Sequence, residues 1–109
     1  MGYMINGVDH AVDEQGYLLE AVLDDEAVRV IAQAENIELS QAHWQVVNYL
    51  REQYREHGHT PNFRNLLKGM SELHPGIDSK ALYDLFPVGP AKQGPKVAGL
   101  PQPLGKGGY

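Results

Sequence analysis

Between Met4 and Leu19 the apolar positions come in short runs broken by turn residues. Asn6-Gly7 is a two-residue turn signal flanked by Met4-Ile5 and by Val8 through Val12, and it predicts a hairpin. Asp13-Glu14-Gln15-Gly16 reads as a second turn ahead of the apolar Tyr17-Leu18-Leu19. A two-stranded hairpin is marginal alone, so this one must pack on something. From Asp24 onward the spacing becomes helical. Asp24 is a plausible N-cap with Asp25 and Glu26 in the first turn, where acids favour the helix dipole. Val28, Ile31 and Ala32, flanked by Ala27 and Val30, give this helix an apolar face up to Glu35, and Asn36 can stop it.

The next helix carries the fullest set of signals. Ser40 is its N-cap, and Leu39 can staple onto Trp44. Trp44, Val47, Leu50 and Tyr54 recur at helical steps and predict one buried stripe. Arg55 and His57 fall in the last turn, and Gly58 fits the position just past it. Thr60-Pro61 is expected to open a third helix, Thr60 as cap and Pro61 as first residue, with Phe63, Leu66, Leu67 and Met70 as its apolar face. A fourth, short helix is predicted from Asp78 or Ser79 through Leu82, Leu85 and Phe86, ended by Pro87. From Gly89 to Tyr109, ten of 21 residues are glycine or proline. Such a composition predicts an extended arm, with neither helix nor central strand. The expected architecture is therefore mostly α: a small orthogonal helical bundle, helix-turn-helix-like, with an N-terminal β-hairpin and an extended C-terminal arm. Residues 1–88 would form the body and residues 89–109 the arm.

Composition narrows the chemistry. The chain has 109 residues and 42% hydrophobic content, which suits one domain with a modest core. No run approaches 18 apolar residues, and the N-terminus has neither a basic stretch nor a long apolar one. A cytoplasmic protein without membrane insertion is the resulting expectation. There is no cysteine, which excludes disulfides, thiolate metal sites and a cysteine nucleophile. All fourteen acids lie at or before Asp84, so residues 1–86 carry 6 − 14 = −8, whereas Lys92, Lys96 and Lys106 give the remainder +3. An acidic body with a basic tail can meet two different surfaces, or the lysines can serve solubility alone.

The last segment has a definite pattern. Leu85-Phe86-Pro87-Val88-Gly89-Pro90-Ala91-Lys92-Gln93 leads into Val97-Ala98-Gly99-Leu100-Pro101-Gln102-Pro103-Leu104-Gly105. This resembles the C-terminal arm of the DsrC/TusE family, which comprises the gamma subunit of dissimilatory sulfite reductase and the sulfur-relay protein of tRNA thiolation. The resemblance extends through Asp13-Glu14-Gln15-Gly16-Tyr17-Leu18, then Ile37 through Trp44, Leu50-Arg51, Tyr54, Gly58, Pro61, Arg64-Asn65-Leu66 and Ser79 through Tyr83. It thus covers nearly the whole chain in order. It implies a carrier whose near-terminal arm cysteine takes sulfur, full members having a second cysteine upstream. Here those two positions are held by Lys106 and Pro95. Neither side chain contains sulfur, so neither can carry a persulfide.

The resemblance therefore implies a cysteine-less paralogue that is not an enzyme, needs no cofactor and acts as a partner-binding or regulatory module. Its partners would be sulfite-reductase or sulfur-relay subunits, or a thiol-oxidising membrane complex. The partner-binding residues would be Lys92, Gln93, Lys96, Gly99, Leu100, Pro101, Lys106 and Tyr109. In the competing structural reading the arm folds back, with Leu100 and Leu104 packing on the body. A helix-turn-helix reader of DNA is the alternative of another class. It has only Arg64 and Lys68 on the third helix of an acidic body, a weak electrostatic footprint. Metal or acid–base chemistry is the third. His57 and His59 lack a third partner at predictable spacing, so no metal site is expected. His43 is expected to pack or cap near its helix start, and the histidines otherwise to face solvent.

Overall fold

The computed structural model describes residues 2–103. Strands β1 (Gly2–Ile5) and β2 (Val8–Ala11) pair antiparallel, Ile5 opposite Val8 and Tyr3 opposite His10. Asn6 and Gly7 turn the chain at φ of 52° and 80°, the left-handed pair that a two-residue hairpin turn requires. The second turn also forms as expected. The Asp13 carboxylate accepts from the backbone N–H groups of Gln15 (2.9 Å) and Tyr17 (3.0 Å), and Val12 bridges to Leu18.

Four helices follow where the patterning places them: α1 (Asp25–Ala34), α2 (Gln41–His57), α3 (Phe63–Leu73) and α4 (Ser79–Leu85). Asp24 caps α1 by accepting from Glu26 N–H at 2.8 Å, and Asn36 ends that region at φ 59°. At α2, Ser40 Oγ accepts from His43 N–H, and His43 Nδ1 accepts in return from Ser40 N–H at 3.0 Å. This is a reciprocal capping box with histidine in the place of the usual Glu or Gln. Gly58 closes α2 in the left-handed conformation.

Two expectations need correction. The cap of α3 is Asn62, whose side chain accepts from Asn65 N–H at 2.9 Å, and Thr60 and Pro61 lie before it. Asparagine competes for that role because its carbonyl reaches the third helical N–H directly. Thr60 is instead buried, and its Oγ1 has no hydrogen-bond partner among the described residues. Second, the glycine- and proline-rich segment does contain a helix, α5 (Pro90–Val97), which is mostly buried. Pro90 sits at its first position, where a missing N–H costs nothing and the fixed φ is already helical.

The molecule is mostly α with an N-terminal hairpin, as expected, and its centre is shared by every element except β2. Ile5 from the hairpin and Leu18 after it join Val28 and Ile31 of α1, Val47 and Leu50 of α2, Leu66 and Met70 of α3, and Leu82 of α4 in one core. Trp44 and Tyr54, expected in the same stripe as Val47 and Leu50, are partly buried at its margin. α5 packs against α1, α2, α3 and α4, and brings Val97, Ala98 and Leu100 into the same core.

Candidate docking site at the root of the arm

α5 is held by a ring of polar contacts drawn from distant parts of the chain. Gln93, 3% exposed, accepts from Val88 N–H at 3.1 Å and donates to Glu35 Oε1 at 3.0 Å. Both polar ends of its amide are thereby satisfied. Glu35 also meets Lys96 Nζ, 3.7 Å from Oε2, with both side chains largely buried. The same ammonium lies 5.1 Å from the centroid of the Tyr17 ring, within cation–π range. Tyr17 donates from its hydroxyl to the Lys92 carbonyl at 3.0 Å. Burial, and after it the nearby Asp13 and Glu35 charges, raise the Tyr17 phenol above its ordinary 10.0.

At the other end of α5, Arg51 fixes the point where the chain leaves the helix. Its Nη1 pairs with Asp25 Oδ1 at 2.9 Å, Nη2 donates to the Asp24 carbonyl at 3.0 Å, and Nε donates to the Ala98 carbonyl at 3.4 Å. The guanidinium is 7% exposed, so these partners offset the desolvation that an isolated buried cation would suffer. Gly99 then turns at φ 83°, and its carbonyl accepts from Val22 N–H at 2.8 Å. Leu100 donates its N–H to the Pro95 carbonyl at 3.0 Å and buries its side chain completely. Pro101, Gln102 and Pro103 run past Tyr54, Gly58, His59 and Thr60 with a cavity of about 80 Å³ between them.

The residues expected to meet a partner therefore separate. Lys92 is exposed, Lys96 and Pro101 are partly buried, and Gln93, Gly99 and Leu100 are buried inside the chain's own fold. Pro95 is buried in α5. Lys106 and Tyr109, and Leu104 of the fold-back reading, lie outside the described residues. The resemblance did not single out Glu35, nor a role for Arg51 and Tyr17 in holding α5. Arg51 had a legible signal, since it stands one helical step from Val47 on the apolar stripe, where a charge requires partners. The Glu35–Lys96 pair had none, being brought together only by the tertiary fold.

His43 is buried and not solvent-facing, consistent with its expected packing and capping role. Its Nδ1 accepts from Ser40, which leaves the proton on Nε2, and Nε2 donates to the Leu85 carbonyl at 2.9 Å. The ring also meets Phe86 edge-on at 5.2 Å. His57 and His59 lie 6.1 Å apart between ring centroids and are exposed. Among the described residues no three His, Asp or Glu side chains converge as a metal site. The arrangement as a whole fixes α5 and the turn at Gly99 on the body, with no sulfur nucleophile in the sequence.

The family described as "DsrC like protein" matches residues 4–105. A relative from Haemophilus influenzae, named a sulfurtransferase TusE homolog, is 47% identical over 103 residues, covering 91% of this chain and 94% of its own. Among solved structures, DsrC of Allochromatium vinosum superposes with a TM-score of 0.83 at 41% identity, covering 93% of each chain. The oxidised gamma subunit of the dissimilatory sulfite reductase of Archaeoglobus fulgidus gives a TM-score of 0.87 at 32% identity, covering 96% of this chain and 98% of that one.

Proposed function

The chain belongs to the DsrC-like family, and on that premise we propose that it docks onto that family's protein partners without accepting sulfur. It acts as a binding or regulatory module, in competition with a cysteine-bearing carrier or as a reporter on sulfur metabolism. One observation carries this reading: a complete DsrC-type body and arm root in a sequence with no cysteine. A decayed protein would be expected to lose the buried contacts that hold the arm root. Instead Gln93, Lys96, Gly99 and Leu100 are packed and have polar partners in this chain. The relatives are named as sulfurtransferases and as a sulfite-reductase subunit, so sulfite-reductase or sulfur-relay subunits are the proposed partners. Lys92, Lys96 and Pro101, with Lys106 and Tyr109, are the proposed contacts. Gln93, Gly99 and Leu100 would act by setting the direction in which the arm leaves. No described helix is long and apolar enough to cross a membrane, which accords with the cytoplasmic compartment proposed.

Affinity capture from native lysate tests the reading, comparing the whole chain with one that ends at Leu100 and so keeps every buried residue of α5. Recovery of sulfite-reductase or sulfur-relay subunits by the whole chain alone would establish a docking arm that works without a thiol. Recovery by both would place docking on residues up to Leu100, which include Lys92 and Lys96, and recovery of neither set of subunits by either chain would sink the proposal. The DNA-reading alternative gains nothing from the fold. α3 exposes Arg64 and Lys68 together with Glu72, on a body of charge −8.

A further inference from the structure

Tyr83 and Val88 are 47% and 72% exposed although both are large and mainly apolar. They stand at one concavity between α3, α4 and α5, completed by Phe63 and by the backbone from Gly89 to Lys92. The Phe63 and Tyr83 rings form one wall, their centroids 5.4 Å apart and tilted by 49°. Gly89 turns at φ 132°, and a Cβ built there would touch nothing, so the mouth is open on that side. The volume is about 140 Å³. A void of about 150 Å³ admits a benzene ring, whereas pockets for drug-sized ligands start near about 300 Å³. This concavity therefore suits a single side chain of phenyl or leucine size, the kind of anchor that dominates protein interfaces.

Charge selects among anchored partners. Among the described residues no carboxylate lines the concavity, and Lys92 stands at its rim with its side chain exposed. Residues 87–109 hold no acid, against −8 over residues 1–86. By contrast, the larger groove beside the α1–α2 loop mixes Arg29 with Glu38 and favours neither sign. We infer that the face between α3, α4 and α5 docks an acidic protein segment that inserts one aromatic or leucine-sized side chain between Phe63, Tyr83 and Val88. This rests on the docking reading above and names the surface through which it works. α5 gives that surface its leverage. The helix is eight residues long, about 12 Å, with the concavity at its first turn and the Arg51-held arm root just beyond its last. A partner gripping the first turn would thus hold the arm at a fixed offset.

The test titrates the isotopically labelled full chain with a blocked pentapeptide, Glu-Asp-Phe-Asp-Glu, and follows backbone amide resonances. The expected result is saturable shifts confined to Tyr83, Val88, Gly89 and their neighbours. They should be absent with Glu-Asp-Ala-Asp-Glu and with Lys-Lys-Phe-Lys-Lys. Lys92→Glu should weaken binding about tenfold, and Val88→Asp should abolish it; both side chains are exposed, so the fold should survive. No saturable shift, shifts at Arg29 and Leu39 instead, or equal binding of the lysine peptide would overturn the inference. The two proposals fail separately. Capture of sulfur-pathway subunits that survives Lys92→Glu combined with Val88→Asp would sink the surface and leave the docking function. Peptide binding here without any such capture would do the reverse.

Discussion

At the scale of single residues, the hydroxyl of Tyr17 joins the second turn to α5 through one bond to the Lys92 carbonyl. Tyr17→Phe should lower stability near neutral pH by about 1 kcal/mol, the usual net value of such a bond, read from denaturant midpoints at unchanged slope. It should also flatten the alkaline limb. The folded-state pKa of Tyr17 is raised by burial and by Asp13 and Glu35. Above pH 10 the unfolded chain therefore gives up its phenolic proton while the folded chain keeps it. Stability is complete below that pH and falls as pH climbs toward the folded value. Tyr3 and Tyr49 are raised too and keep a residual slope in the variant. Thr60 gives a prediction of opposite sign. Its buried hydroxyl lacks a partner among the described residues, so the near-isosteric Thr60→Val should leave stability unchanged or raise it by about 1 kcal/mol. Asn62→Ala removes a true cap and should cost about 1 kcal/mol. Had Thr60 been the cap, as the Thr-Pro pair suggested, the two effects would be exchanged.

At the scale of elements, the hairpin and α1, α2 and α4 were legible because turn residues, caps and apolar spacing agree locally. Asn6-Gly7, Asp24 and Ser40 each do in space what their position announces. α5 was not legible, because composition averages over positions. Pro90 is harmless at the first turn, and Gly94 admits α2 so closely that an added Cβ would lie 3.0 Å from Leu50 Cδ1. Pro95 alone is costly, since it removes the N–H that would bond to the Ala91 carbonyl. Four neighbouring helices supply the packing that overrides it. The candidate site was half legible for the same reason. The resemblance pointed to Gln93, Gly99 and Leu100, whereas the tertiary fold decides that they face inward. Their burial bears on the upstream position of the missing cysteine pair. A Pro95→Cys thiol should be shielded in the native chain and react with a water-soluble thiol reagent only as fast as α5 opens, with full reactivity returning in denaturant. Equal rates in both states would mean that α5 does not hold in solution.

At the scale of the whole molecule, the question is how much of the fold belongs to the last 22 residues from Val88 onward. Val97 and Leu100 are fully buried. Burial of a Val or Leu side chain contributes roughly 1.5–3 kcal/mol, so these two together contribute about 3–6 kcal/mol. Small domains have only about 5–15 kcal/mol in total. Arg51 would also lose its Ala98 partner and Glu35 its contacts with Gln93 and Lys96, leaving polar groups uncovered in a newly opened core. A chain ending at Pro87 should therefore fail to melt cooperatively and should bind a hydrophobic dye. A chain ending at Leu100 should keep a single sharp transition within a few degrees of the full sequence. The comparison is a thermal scan followed by near-ultraviolet circular dichroism, which reports on the packing of Trp44 and the tyrosines. If the chain ending at Pro87 melted as sharply as the one ending at Leu100, α5 would be an appendage, and the arm root would lose its fixed position on the body. If only that shorter chain fails, the segment that presents the arm is also part of what folds the protein. α5 would then be required for stability whether or not the chain takes part in sulfur transfer.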